Sequence, residues 1–118
     1  MARELLNPAD LPQLPRLKIN QLVGREPTSV TSTPVTLTDA DHIVLVDDDT
    51  VGGAVTVNLP SATNSKGNIY SIVKTGSSGN VTLSPFGSDL IHGSSELVII
   101  KKDDAPMIYC NGTAWILI

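Results

Sequence analysis

Aromatic rings are scarce in this chain: Tyr70, Phe86, Tyr109 and Trp115 are the only four among 118 residues. Large rings dominate the energetics of most cores. A core built here must come from Val, Ile and Leu, and one so poor in rings leans on neighbouring subunits. Cysteine is nearly absent too. Cys110 stands alone, which excludes an intrachain disulfide and points to synthesis in a reducing compartment. No apolar run reaches 18 residues, and no basic start leads into a signal-peptide core. The expectation is a soluble protein without a helical membrane span or the usual secretion signal. Basic excess is missing where it would count. Residues 35–118 hold four lysines against nine acids, so the body has no electrostatic footprint for nucleic acid or an anionic membrane.

The motifs of catalysis are missing as well. There is no Walker loop, no dinucleotide fingerprint, no Cys/His zinc spacing and no Gly-x-Ser-x-Gly elbow. His42 and His92 are the only imidazoles, and Cys110 sits in an apolar stretch where a thiol is ordinarily inert packing. Asp39, Asp41, Asp47, Asp48 and Asp49 crowd one region, but the calcium-loop spacing with its distal Glu is absent, so a solvated acidic turn is expected. No enzyme activity, cofactor or metal is expected.

What is present falls into two regimes. Five of the eight prolines lie in residues 1–34, a density that excludes long helices and central strands. Yet the stretch NPADLPQLPRLKINQL is greasy, with Leu11, Leu14 and Leu17 three apart. A polyproline II rod has three residues per turn, so those leucines would share one side of it. Leu5, Leu6, Leu11, Leu14, Leu17, Ile19, Leu22 and Val23 are too many for a solvated tail. Residues 1–34 are therefore expected to form an extended docking arm. Arg16, Lys18 and Arg25 sit at its rim, and REPTSVTSTP serves as a polar hinge. The competing reading is a linker that folds back on its own domain.

From residue 35 the texture is that of strands. Val, Ile and Thr make up nearly a third of residues 35–118, the types that suit a pleated sheet. Apolar runs such as HIVLV, AVTVNL, NIYSIVK, VTLS and ELVIIK alternate with turn signals. No helical period is sustained. The predicted fold is all-β: a small antiparallel β-sandwich or barrel spanning 35–118. The last 14 residues, APMIYCNGTAWILI, carry no side chain charged at neutral pH. Asn111-Gly112 predicts a two-residue type I′ hairpin, which would pair Ile108 with Trp115, Tyr109 with Ala114 and Met107 with Ile116. Both faces of that hairpin are apolar, whereas a sandwich strand normally turns one face to water. The expected cover is another copy of the chain, or the arm. Met107, Ile108, Tyr109, Trp115, Ile116, Leu117 and Ile118 are the candidate subunit interface.

The pieces DADHIVLVD, GGAVTVNLP, KGNIYSIVK, NVTLSPFGSDLIHG and CNGTAWILI, in that order, resemble a β-domain of tailed-bacteriophage virion proteins that recurs in head-decoration, head-fibre and tail-fibre proteins. The likeness covers about 84 residues and leaves the arm unmatched. Where that family often shows Ile-Asp-Gly, this chain has Ile91-His92-Gly93. The resemblance implies a homotrimer. A chain of 118 residues starting at its own Met1 is short for a receptor-reaching fibre. The expected function is thus a trimeric capsid decoration, or cement, protein on the head surface, made in the host cytoplasm. Its arm would bind the major capsid protein, with no nucleic acid or membrane partner. The alternatives are a tail-fibre or head-fibre component and, from another class, a glycan-binding adhesin module.

Overall fold

The computed structural model describes residues 26–118. The expected arm residues Leu5, Leu6, Leu11, Leu14, Arg16, Leu17, Lys18, Ile19, Leu22 and Arg25 lie outside them. Nine strands form two sheets. The five-stranded sheet contains β1 (Thr28–Val30), β3 (Ile43–Val46), β5 (Ile69–Lys74), β8 (Met107–Cys110) and β9 (Trp115–Leu117), in that order. The four-stranded sheet contains β2 (Val35–Thr36), β4 (Val55–Asn58), β6 (Val81–Ser84) and β7 (Leu97–Ile99). Among the described residues, helix is confined to one turn, α1 (Asp48–Val51), and a 3₁₀ turn at Ala62–Asn64.

The all-β expectation holds, but the sheets are mixed rather than antiparallel. From β1 to β6 the chain alternates between the two sheets, so each strand lies parallel to the one two places earlier: β1–β3, β3–β5, β2–β4 and β4–β6. Only the end of the chain folds back, through β6–β7, β5–β8 and β8–β9. Connections that cross between sheets cannot be tight hairpins, and these use α1, the 3₁₀ turn and the loop after β5. The segment expected to be a polar hinge also departs from expectation, because its Thr28–Val30 pairs with β3 from Val44 to Val46.

The inward positions follow the period of two that strands impose. Val44, Val46, Tyr70, Ile72, Ile108, Cys110 and Trp115 from one sheet meet Val55, Val57, Val81, Leu83 and Ile99 from the other, all buried. Each fully buried aliphatic side chain contributes about 1.5–3 kcal/mol, so this interleaved β-branched layer compensates for the shortage of rings. The two large rings sit together. Tyr70 and Trp115 lie with centroids 5.4 Å apart and planes tilted by 33°, within the favourable range for aromatic pairs. The Tyr70 hydroxyl donates to the Thr38 carbonyl at 2.7 Å, and burial pushes its pKa up to about 12.

The closing hairpin exists, with a different turn and register. Asn111 to Ala114 form a four-residue loop. Cys110 therefore faces Trp115, Tyr109 faces Ile116 and Ile108 faces Leu117, two residues away from the two-residue-turn register. The cause is the Asn111 side chain. Its Oδ1 accepts from the amides of Thr113 and Ala114, both at 2.9 Å, while its own amide donates to the Ala114 carbonyl at 3.1 Å. A two-residue I′ turn needs positive φ at both central positions, and only Gly112 has it, at 94°. A slip of two preserves the facing of every side chain. Ile108 and Trp115 therefore still share a side, but it is the inner one: both are fully buried by the chain's own four-stranded sheet. They have no surface to give a partner.

Candidate functional site

Alternation along the five-stranded sheet puts a second set of residues outward. Across the ladder, Ile69 stands beside Tyr109 and Tyr109 beside Ile116; Ile43 stands beside Ser71 and Ser71 beside Met107; Ser29 stands beside Leu45 and Leu45 beside Val73. These three rows hold seven large apolar or aromatic side chains, two serines and no charge. Ile43, Ile69 and Met107 are exposed by 45%, 39% and 42%, and the rest are half-buried except Ser29, which is exposed. The four-stranded sheet is built the opposite way. Its outward positions are Thr36, Thr56, Asn58, Thr82, Ser84 and Val98, five of them polar. One domain thus carries one outer face suited to water and another suited to cover.

The hairpin residues Met107, Tyr109 and Ile116 fall on the apolar face, as the sequence suggested for its uncovered side. Leu117 and Ile118, exposed by 37% and 64%, lie at its end. Leu117 opens onto a notch of about 330 Å³ lined by Leu97, Val98, Ile99, Asp104, Ala105 and Pro106. Sequence reasoning missed the greater part of the apolar face: Ile43, Leu45, Ile69 and Val73. The signal was there. HIVLV and NIYSIVK are apolar at both parities, which is how strands covered on both faces read.

The crowded aspartates do something other than expected. Asp47 caps α1, its carboxylate accepting from the Thr50 amide at 3.0 Å and hydroxyl at 2.7 Å, and Gly52 ends the turn with φ 87°. Asp48 is fully buried. Its carboxylate accepts from the amides of Gly76 (2.9 Å), Ser78 (2.7 Å) and Gly79 (2.9 Å) and from Lys74 Nζ at 3.2 Å. Lys74, itself 2% exposed, also donates to the Gly76 carbonyl. Burial alone would raise the Asp48 pKa; the bonds from Gly79, Lys74 and Ser78 outweigh it and hold the pKa at about 2. Asp49 accepts from the Ser78 hydroxyl and the Ser77 amide, which lowers its pKa too. This group ties the turn after β3 to the β5–β6 crossover, with both oxygens of the buried Asp48 carboxylate engaged.

Nothing else among the described residues assembles into reactive chemistry. His42 Nδ1 lies 3.2 Å from the Ile69 carbonyl, and His92, exposed, bonds through its backbone amide to the Trp115 carbonyl at 2.7 Å. The Cys110 thiol is buried and donates to the Ala62 carbonyl. No three His, Cys, Asp or Glu side chains among the described residues converge as a metal site requires, and no helix there is long and apolar enough to cross a membrane. No known family model matches the chain, and no curated protein matches it.

Proposed function

We propose that the protein is a structural subunit of a bacteriophage virion: a homotrimeric capsid decoration protein whose N-terminal arm grips the assembled head. The observation that carries this reading is the uncharged outer face of the five-stranded sheet, set against the polar outer face of its partner sheet. Five strands spaced about 4.8 Å apart and three rows of side chains cover roughly 250 Å² of sheet plane. At about 25 cal/mol per Å², three such faces turned to a common axis contribute on the order of 19 kcal/mol. Two association steps cost about 4–15 kcal/mol each. Two such faces contribute about 12 kcal/mol against a single step, so the face suffices for self-association, the threefold order follows from the family resemblance, and each further contact at Leu117 and Ile118 counts.

A trimer presents three arms together, each with Leu11, Leu14 and Leu17 as anchors and Arg16, Lys18 and Arg25 at the rim. Three tethered segments bind a lattice far more tightly than one. A protein that binds only the assembled shell stabilises it by mass action. The test is a chain lacking residues 2–25, mixed with expanded heads. It should remain trimeric, fail to bind heads and leave them to crack at a lower temperature than heads carrying the full chain. Heads unchanged by the full chain, with the deletion instead abolishing tail assembly or adsorption, would move the protein to a fibre.

A further inference from the structure

A separate groove, of about 360 Å³, lies at the carboxyl ends of the three parallel strands of the four-stranded sheet and is lined by Thr36, Asn58, Leu59, Ser84, Pro85, Phe86 and Gly87. We propose that it binds a neutral saccharide, with Phe86 as the stacking platform. Thr36, Asn58 and Ser84 stand side by side in register on β2, β4 and β6. Adjacent strands set their side chains about 4.8 Å apart. None of the three side chains makes a hydrogen bond among the described residues, and two hydroxyls and an amide, able both to donate and to accept, line the groove.

Phe86 forms the wall of the groove. It is 61% exposed, the most exposed ring among the four, and its backbone is anchored. The Phe86 carbonyl accepts from the Asp89 amide at 2.9 Å, closing a turn through Gly87 at φ 57°. The Asp89 carboxylate in turn accepts from the Ala62 amide at 2.9 Å, tying that turn to the body. An exposed ring on an anchored turn, beside hydroxyls that line the same groove, is arranged for a ligand with one apolar C–H face and a rim of hydroxyls. The negative face of the ring attracts such C–H groups. No charged side chain lines the groove, which selects neutral sugars over phosphates, sulfated glycans or acidic ones.

An open groove contacting one hexose unit binds with Kd of about 1 mM. Three copies on an assembled trimer would raise the avidity for a polymer. The site is independent of the apolar sheet face and of the arm, so it stands or falls apart from the decoration reading. The test uses the isotope-labelled full chain and four neutral probes at tens of millimolar: maltotriose, cellotriose, chitotriose and a β-galactotriose. At least one should shift the resonances of Thr36, Asn58, Ser84 and Phe86. F86A should weaken that binding more than tenfold without changing thermal stability, because the ring adds nothing to the core, and N58A should weaken it severalfold. Binding should be insensitive to salt. The proposal is overturned if none of the probes moves these resonances, or if the shifts survive F86A. It is equally overturned if F86A abolishes attachment to heads and leaves sugars without effect, which would make the groove a protein contact.

Discussion

The Asp48–Lys74 pair offers a test of the fold in which the order of two effects matters more than their size. In an ordinary buried ion pair the partners depend on each other equally, and removing either leaves an unpaired charge at a cost of about 3–5 kcal/mol. Here the dependence is lopsided. Asp48 holds three backbone amides of the Gly76–Gly79 loop as well as Lys74, while Lys74 holds Asp48 and one carbonyl. Asp48→Ala strips three buried or half-buried donors of their acceptor and strands a buried ammonium. It should cost about 4 kcal/mol or more, since a bond to a charged group contributes about 1.5–3 kcal/mol and such losses add incompletely. Lys74→Met removes the charge, keeps the packing and leaves the carboxylate with its three amides; about 1–3 kcal/mol is expected. For a domain of this size the first change lowers Tm by at least about 16 °C. Urea unfolding followed through the buried Trp115 gives both values. Equal costs, or a larger cost for Lys74→Met, would refute the claim that the carboxylate chiefly anchors the loop.

Acid unfolding should report the same carboxylate. Its folded pKa of about 2 lies below the ordinary aspartate value of 3.8, so the stability it confers is present above about pH 4 and is lost as pH falls toward 2; in Asp48→Asn the fall over that window should be shallower. At the other end of the scale, Tyr70 titrates at about 12 in the fold against 10.0 when free. Stability should drop as pH rises from 10 to 12, and Tyr70→Phe should flatten that drop while costing about 1 kcal/mol at neutral pH for the bond to Thr38. Gly79 is packed so that a Cβ would lie 2.3 Å from Ala54 N. Gly79→Ala should therefore cost about 1–3 kcal/mol in chemical denaturation, whereas Gly53→Ala, with open space around it and no positive φ, should stay within about 0.5 kcal/mol of the parent.

The strands were legible because β-branched runs and turn residues alternate along the chain, and seven of the nine coincide with runs visible by eye. The pairing was not legible. Parallel and antiparallel neighbours are both made from Val, Ile and Thr, and nothing in HIVLV states that its partners are β1 and β5 rather than the next strand along. The clue that was available, apolar residues at both parities in β3 and β5, spoke to covering of both faces and not to direction. The hairpin failed for a local reason, since Asn111 uses its side chain to build a longer loop than the Asn-Gly pair implies. Asp48 was hidden because a buried carboxylate and a solvated one look alike in a run of acids; what separates them is a loop of amides 28 to 31 residues away. Phe86 was given no role by the sequence, and it is the Pro85–Gly87 turn that sets it outward.

The uncharged outer sheet face is the foundation of the assembly reading, and the mass of the full chain in solution probes it most directly. Sedimentation equilibrium at micromolar concentration should give three times the 12.5 kDa chain mass. Ile69→Lys, which sets a cation on the central strand of that face without touching the core, should return the mass of one chain while the fold persists. A parent protein that sediments as a single 12.5 kDa chain throughout the micromolar range, with Ile69→Lys indistinguishable from it, would contradict the account.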